Sequence, residues 1–173
     1  DFAGKRVLVV GGGNSACDIA AALAPVAGHV SLSLRSPQVI IPKLAGGRSV
    51  DVQFRKLHKP IFRWARDWLV EKIVKFIVGP YAQYGLPEPD FPFLSRHPTL
   101  NTDILERIRH GKIKVRPAIR SAEGANIVFS DGTSDRYDTI IWATGFSLGV
   151  PFLKQVCEDW DDVAQVPLYL RML

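Results

Sequence analysis

Cysteine is almost missing. The 173 residues hold only Cys17 and Cys157, too far apart in the chain for a C-x-x-C pair, so neither a disulfide framework nor a zinc site is expected. A reducing, cytoplasmic setting fits that usage. No apolar run reaches the roughly 18–20 residues needed to span a bilayer, and no leader precedes the first strand-like run, so the chain reads as soluble with no membrane partner. His58, His97 and His110 lack metal-ligand spacing and read as surface or structural residues.

A strong charge of one sign is lacking too. Against 17 Asp and Glu stand 22 Lys and Arg, a net charge of +5. The basic residues are dispersed from Lys5 to Arg171 with acids between them, unlike the clustered stripe of a nucleic-acid binder. Phosphate-bearing small molecules suit such a balance better. With 47% hydrophobic and 23% charged residues, the composition is globular and the length suits one well-buried core. The chain starts with Asp1 rather than Met and ends within the strand-like PLYLRML, which reads as a fragment of a longer polypeptide.

What is present is a clear alternation of elements. Val7 to Val10 is a β-branched apolar run between Lys5-Arg6 and three glycines, as expected of a strand buried on both faces. From Ser15 to Leu23, Ala16, Ile19, Ala20 and Leu23 recur at helical spacing, and Pro25 limits extension. His29 to Leu34 gives a second strand, closed by Arg35-Ser36-Pro37. These make one β-α-β unit. Between about residues 52 and 86 the pattern turns helical, with Phe62, Ala65, Leu69, Ile73 and Phe76 on one stripe and Lys59, Arg63 and Arg66 on another face. Asp67 and Glu71 beside those cations indicate a solvated face. Pro87, Pro89, Pro92 and Pro98 mark an extended connection. Asn101 or Thr102 caps a further helix that buries Ile104, Leu105 and Ile108 and stops at Gly111. The pieces Ile113–Val115, Ile119–Ala122 and Asn126–Phe129, the last followed by Asp131-Gly132, suggest a small antiparallel meander. Thr139 to Ala143 is again a buried strand.

The fold class that follows is α/β: a Rossmann-like parallel sheet flanked by helices, with a small antiparallel β-meander and a helical insertion.

The chemistry concentrates at Gly11-Gly12-Gly13-Asn14-Ser15-Ala16, which fits G-x-G-x-x-A between a predicted strand and a predicted helix. In that context Gly11 permits the tight turn, Gly13 admits a pyrophosphate, and Ala16 lets helix and strand pack closely. Free N–H groups of the first helical turn then face the phosphates. Asn14 and Ser15 either contact the cofactor or cap the helix. NAD-binding domains usually carry an acid about 20 residues after the glycines, to hold the ribose 2′-hydroxyl. Arg35 stands there instead, and a guanidinium pairs with a 2′-phosphate, so NADPH/NADP+ is preferred over NADH; otherwise Arg35 is a solvated strand end. Ser36 adds a hydroxyl donor. Cys17 has no activating base beside it and reads as packing. No catalytic side chain and no metal ligand is identified.

Phe2 to Ala20, F-x-G-K-R-V-L-V-V-G-G-G-N-S-A-C-D-I-A, resembles the NADPH-binding segment of flavin-containing monooxygenases, and Tyr137 to Phe146 resembles their A-T-G-[YF] motif. Y-G-L-P at Tyr84 to Pro87, P-T-L-N-T-D-I-L at Pro98 to Leu105 and the following G-K-I-K-V are similar to the bacterial and plant YUCCA-like branch. The resemblance implies an NADPH domain inserted into an FAD domain. Residues 1–142 would be the NADPH-binding domain, and residues 143–173 the start of the returning FAD segment, with Ala143, Thr144 and Gly145 at the cofactor. It also implies an enzyme with N,N-dimethylaniline monooxygenase-type activity. NADPH reduces FAD, and a C4a-(hydro)peroxyflavin passes one oxygen to a nitrogen, sulfur or carbonyl substrate.

The family's FAD-binding glycine motif and its F-x-G-x-x-x-H signature do not occur in the sequence. FAD would therefore be held with other segments of the same polypeptide, and nucleotide binding without turnover is expected of the chain alone. Two other readings share the glycine motif: an NADPH-dependent flavoprotein reductase of the disulfide-reductase superfamily, and a non-catalytic NADP-sensing module.

Overall fold

A computed structural model describes residues 1–45, 48–50, 63–91, 95–96 and 98–146. Its centre is a four-stranded, wholly parallel sheet in the order β11, β1, β2, β7, formed by Thr139–Trp142, Arg6–Val10, His29–Ser33 and Ile113–Arg116. The register runs Val10 beside Ser33 and Trp142, so the strands end level with one another. Helix α1, Asn14–Leu23, follows β1 and packs on one face.

The apolar runs without polar interruption are explained by burial on both sides. Val7 and Val9 of β1 face a large cluster with Ala16, Cys17 and Ala20 of α1 and Ile104 of α3, which spans Asp103–Arg109. Leu8, between them, points to the opposite face, where Ile127, Phe129 and Tyr137 form a second cluster. That second layer is the antiparallel meander β8 (Ile119–Glu123), β9 (Asn126–Phe129) and β10 (Ser134–Arg136). Ser31, fully buried in β2, meets both Tyr137 Oη at 2.9 Å and His29 Nε2 at 3.1 Å, so its burial leaves no unsatisfied hydroxyl. Asp135 anchors the meander to the sheet by accepting from Arg6 at 2.6 Å and Arg116 at 2.7 Å.

Two expectations need correction. Ile113–Val115 is not a meander strand: it lies in β7, parallel to β2, and the meander's third strand is Ser134–Arg136 after the Asp131-Gly132 turn. A lone short apolar strand carries no mark of its partner's direction. The helical insertion contains α2, Arg63–Val78, and a 3₁₀ turn at Tyr81–Tyr84, but its buried face is Val70, Val74 and Val78. Leu69, Ile73 and Phe76 of the expected stripe are exposed, Phe76 at 91%, together with Trp68 and Ile77. The helix is apolar on more than one side, so spacing alone does not select the inner face. Phe62 and Lys59 lie outside the described residues, as do His58, His97 and Cys157.

The insertion is rooted in a small parallel pair, β3 (Ile40–Ile41) and β6 (Thr99–Leu100), and a hairpin of β4 (Leu44–Ala45) with β5 (Arg48–Ser49) follows β3. Tyr81 fastens it to that root: its buried hydroxyl donates to Ile40 O and accepts from Ile40 N, both at 3.1 Å. At the start of α3 the capping side chain is Asn101, whose Oδ1 accepts from Ile104 N at 2.8 Å, rather than Thr102. Gly111 ends that helix at φ 68°.

Candidate nucleotide-binding site

A cleft of about 750 Å³ opens where β1, β2 and β11 end. Ligands of open parallel sheets bind at this edge, beyond the carboxyl ends of the strands. Each strand contributes its following residues. After β1 come Gly11, Gly12, Gly13, Asn14 and Ser15, after β2 come Leu34, Arg35 and Ser36, and after β11 come Ala143, Thr144 and Gly145; all border the cleft. Ala16 does not reach it, being fully buried beneath the loop.

The three glycines have different reasons to be glycine. Gly11 sits at φ 138°, and a Cβ there would collide with the Ala143 carbonyl oxygen, so the loop and the end of β11 touch only because the side chain is missing. At Gly12 a Cβ would meet the Gln38 side chain at 2.5 Å. At Gly13, with φ −79°, it would meet nothing within 4 Å, and Gly13 borders the cleft. The loop is held from below, with Gly11 N donating to Ser33 O at 3.0 Å and Ala143 N to Val10 O at 2.8 Å.

Asn14 and Ser15 do not cap α1: the helix has Gly13 at its N-cap and no side-chain cap bond. The Asn14 side chain instead accepts from Leu100 N at 2.8 Å. The N–H groups of the first turn are thus left for a ligand, and no acidic side chain occupies that turn to compete with an anion.

Arg35 is exposed and is the sole charged residue among the described residues bordering the cleft. Among the described residues the cleft thus combines a cation, backbone donors and four hydroxyls, Ser15, Ser33, Ser36 and Thr144, with no carboxylate, histidine or cysteine; the Ser33 hydroxyl already donates to Pro117 O at 2.8 Å. Such a lining suits a phosphorylated ligand and offers no general base. Cys17 is buried just beneath, and burial, reinforced by Asp18, pushes its thiol up to about 12, which disfavours the thiolate. Among the described residues no group of His, Cys, Asp and Glu is arranged to hold a metal.

Several bordering residues were not foreseen. Trp142, 65% exposed, and Phe146, 98% exposed, place aromatic surface at the β11 end, while Gln38, Ala118 and Ile119 complete the walls. The sequence pattern places Trp142 only within a buried strand. It is the last residue of the edge strand β11, paired with Val10 next to the glycine turn.

The family model described as "Flavin-binding monooxygenase-like" matches residues 1–173. Flavin-containing monooxygenase 2 of Homo sapiens is 34% identical over 160 residues, covering 88% of this chain and 30% of that protein. The probable indole-3-pyruvate monooxygenase YUCCA8 of Arabidopsis thaliana is 32% identical over 164 residues, covering 89% of this chain and 38% of that protein. The chain thus spans roughly a third of the length of these relatives. A solved structure of oxidized steroid monooxygenase bound to NADP shares the fold, with a TM-score of 0.65 at 17% identity over 85% of this chain and 39% of that one. The cyclohexanone monooxygenase from Rhodococcus sp. Phi1 bound to NADP+ gives 0.62 at 18% identity, over 84% and 39%. No helix among the described residues is long and apolar enough to cross a membrane.

Proposed function

The chain belongs to the flavin-binding monooxygenase-like family, and from that premise we propose that residues 1–142 form the NADPH-binding domain of a flavin-dependent monooxygenase and that residues 143–173 begin the return to its FAD-binding domain. The observation that carries this reading is the cleft: three strand ends meet a glycine turn, a helix tip and one unopposed guanidinium. The dinucleotide would lie across the sheet edge. Its pyrophosphate would face the Gly11–Ser15 backbone and its 2′-phosphate would face Arg35 and Ser36, with Ala143, Thr144 and Gly145 at its far end.

When bound, NADPH supplies the hydride that reduces the flavin, and the flavin supplies the oxygen chemistry on a nitrogen, sulfur or carbonyl substrate. The chain's own residues bind and orient. The first-turn N–H groups and the helix dipole hold the phosphates, and the guanidinium distinguishes a phosphate from a hydroxyl. FAD would be held mainly by segments of the polypeptide other than the glycine turn, since that turn is committed to NADPH.

Calorimetry with NADPH and NADH tests the assignment. Arg35→Ala should weaken NADPH by about tenfold to a hundredfold, the range for a lost charge-assisted hydrogen bond, and leave NADH within about twofold. Equal losses for both nucleotides would show that Arg35 does not read the 2′-phosphate.

A further inference from the structure

Next to the glycine turn, but not themselves lining the cleft, three consecutive residues at the root of the helical insertion grip the loop and its helix. Thr99 Oγ1 donates to Gly12 O at 2.9 Å, Leu100 N donates to the Asn14 side chain at 2.8 Å, and Asn101 Nδ2 donates to Asp18 Oδ1 at 2.8 Å. These residues are themselves fixed. Thr99 is 3% exposed, its N–H is bonded to Val39 O at 2.8 Å, and Asn101 N is bonded to Ile41 O at 2.9 Å through the β3–β6 pair. None of the three belongs to the glycine motif, and they lie more than 80 positions from it in sequence.

We propose that Thr99 and Asn14 are positioning residues for the dinucleotide, making the root of the insertion part of the cofactor site; this rests on the reading that NADPH binds at the glycine turn. A planar trans peptide sets its C=O and the following N–H in opposite directions. Thr99 holds the Gly12 carbonyl on one side, so the Gly13 N–H is aimed the other way, and Gly13 itself borders the cleft with open space where a side chain would be. The other side chain near that carbonyl is Cys17, whose Sγ stands at 4.0 Å, too distant to hold the plane alone. Without the hydroxyl, the Gly12–Gly13 peptide is free to rotate, and a donor aimed at the pyrophosphate loses its preorganisation. Asn14 acts in the same sense at the first residue of α1, keeping the helix tip seated against β6.

The test compares Thr99→Val, which keeps the shape and removes the hydroxyl, with Thr99→Ser, which restores it. Both are made in the intact chain and titrated with NADPH and with adenosine 2′-monophosphate, which lacks the pyrophosphate and reports only on the Arg35 end. Thr99→Val should weaken NADPH on the order of tenfold, leave adenosine 2′-monophosphate within about twofold, and be rescued by Thr99→Ser. Asn14→Ala, at an exposed position that tolerates alanine, should show the same split with a loss of about fivefold, and it keeps the question decidable if Thr99→Val fails to fold. Unchanged NADPH affinity in both Thr99→Val and Asn14→Ala overturns the proposal. Equal weakening of both ligands alongside a lowered melting temperature also overturns it, because that is the mark of a merely structural role. Failure of the unmutated chain to bind NADPH would instead remove the nucleotide assignment on which the proposal rests.

Discussion

Substituting Gly11 and Gly13 by alanine should separate the two jobs of the glycine turn. At Gly11 the added methyl enters the Ala143 carbonyl, with its carbon at 2.8 Å, and the residue must also hold φ 138°. Relief requires the end of β11 to retreat by roughly 1 Å, given ordinary carbon contacts of about 3.5 Å. That motion strains the Ala143 N to Val10 O bond and the pairing of Val10 with Trp142. Backbone strain of about 1–3 kcal/mol plus a weakened hydrogen bond of about 1 kcal/mol gives a loss of about 2–4 kcal/mol. For a chain of this size that is a fall in melting temperature of about 5–15 °C by calorimetry or circular dichroism.

At Gly13 the methyl meets nothing within 4 Å and φ is −79°. Gly13→Ala should therefore cost less than about 1 kcal/mol, the modest disadvantage of alanine at an N-cap. Its methyl nevertheless stands beside the proposed path of the pyrophosphate, so NADPH affinity should fall by at least tenfold. Gly12→Ala should be intermediate in stability, because the Gln38 side chain it meets is able to move. Equal melting temperatures for Gly11→Ala and Gly13→Ala would refute the reasoning, as would full NADPH affinity in Gly13→Ala.

Two further outcomes follow from the electrostatics. Although partial burial opposes it, hydrogen bonds from Arg116, the Arg136 backbone N–H and Arg6, with the charge of Arg6, hold the Asp135 carboxyl below its ordinary value. A folded-state value below the unfolded one contributes stability above the unfolded value near about 3.9, lost as pH falls through the folded one. Asp135→Asn should therefore be less stable than the parent chain at pH 7 in urea titrations, and the gap should narrow below about pH 4; a gap independent of pH would contradict the ion-pair account. Cys17, with its thiol raised to about 12, should resist iodoacetamide at pH 8 in the folded chain and react only in denaturant, as peptide mapping by mass spectrometry would show. Rapid alkylation of native Cys17 would mean that α1 does not pack as described.

What was legible in the sequence was what repeats locally. Val7–Val10, the glycines and the Ala16–Ile19–Ala20–Leu23 stripe announce their strand, turn and helix, because each carries its signature in adjacent residues, even though the packing they make reaches far along the chain. Counting from the glycines puts Arg35 at the end of the second strand, and the structure has it bordering the cleft beside them. The misreadings were non-local. Ile113–Val115 runs parallel to β2 because α3 carries the chain back before it, which a four-residue strand cannot signal by itself. The buried side of α2 is decided by what lies beneath Val70, Val74 and Val78, not by the composition of the helix. Thr99 was invisible as a participant for the same reason: its hydroxyl reaches Gly12 only after β3 and β6 have paired across the insertion.

The central claim is that the Gly11–Ser15 turn and Arg35 together hold one NADP(H) molecule. Titrating the isotope-labelled chain with NADP+ while following its amide resonances tests this most directly. The account requires the largest shifts at Gly12, Gly13, Asn14, Ser15, Arg35 and Thr144, and substitution by NAD+ should remove mainly those at Arg35 and Ser36. Shifts centred on the meander or on α2, or none at the glycine turn, would contradict it.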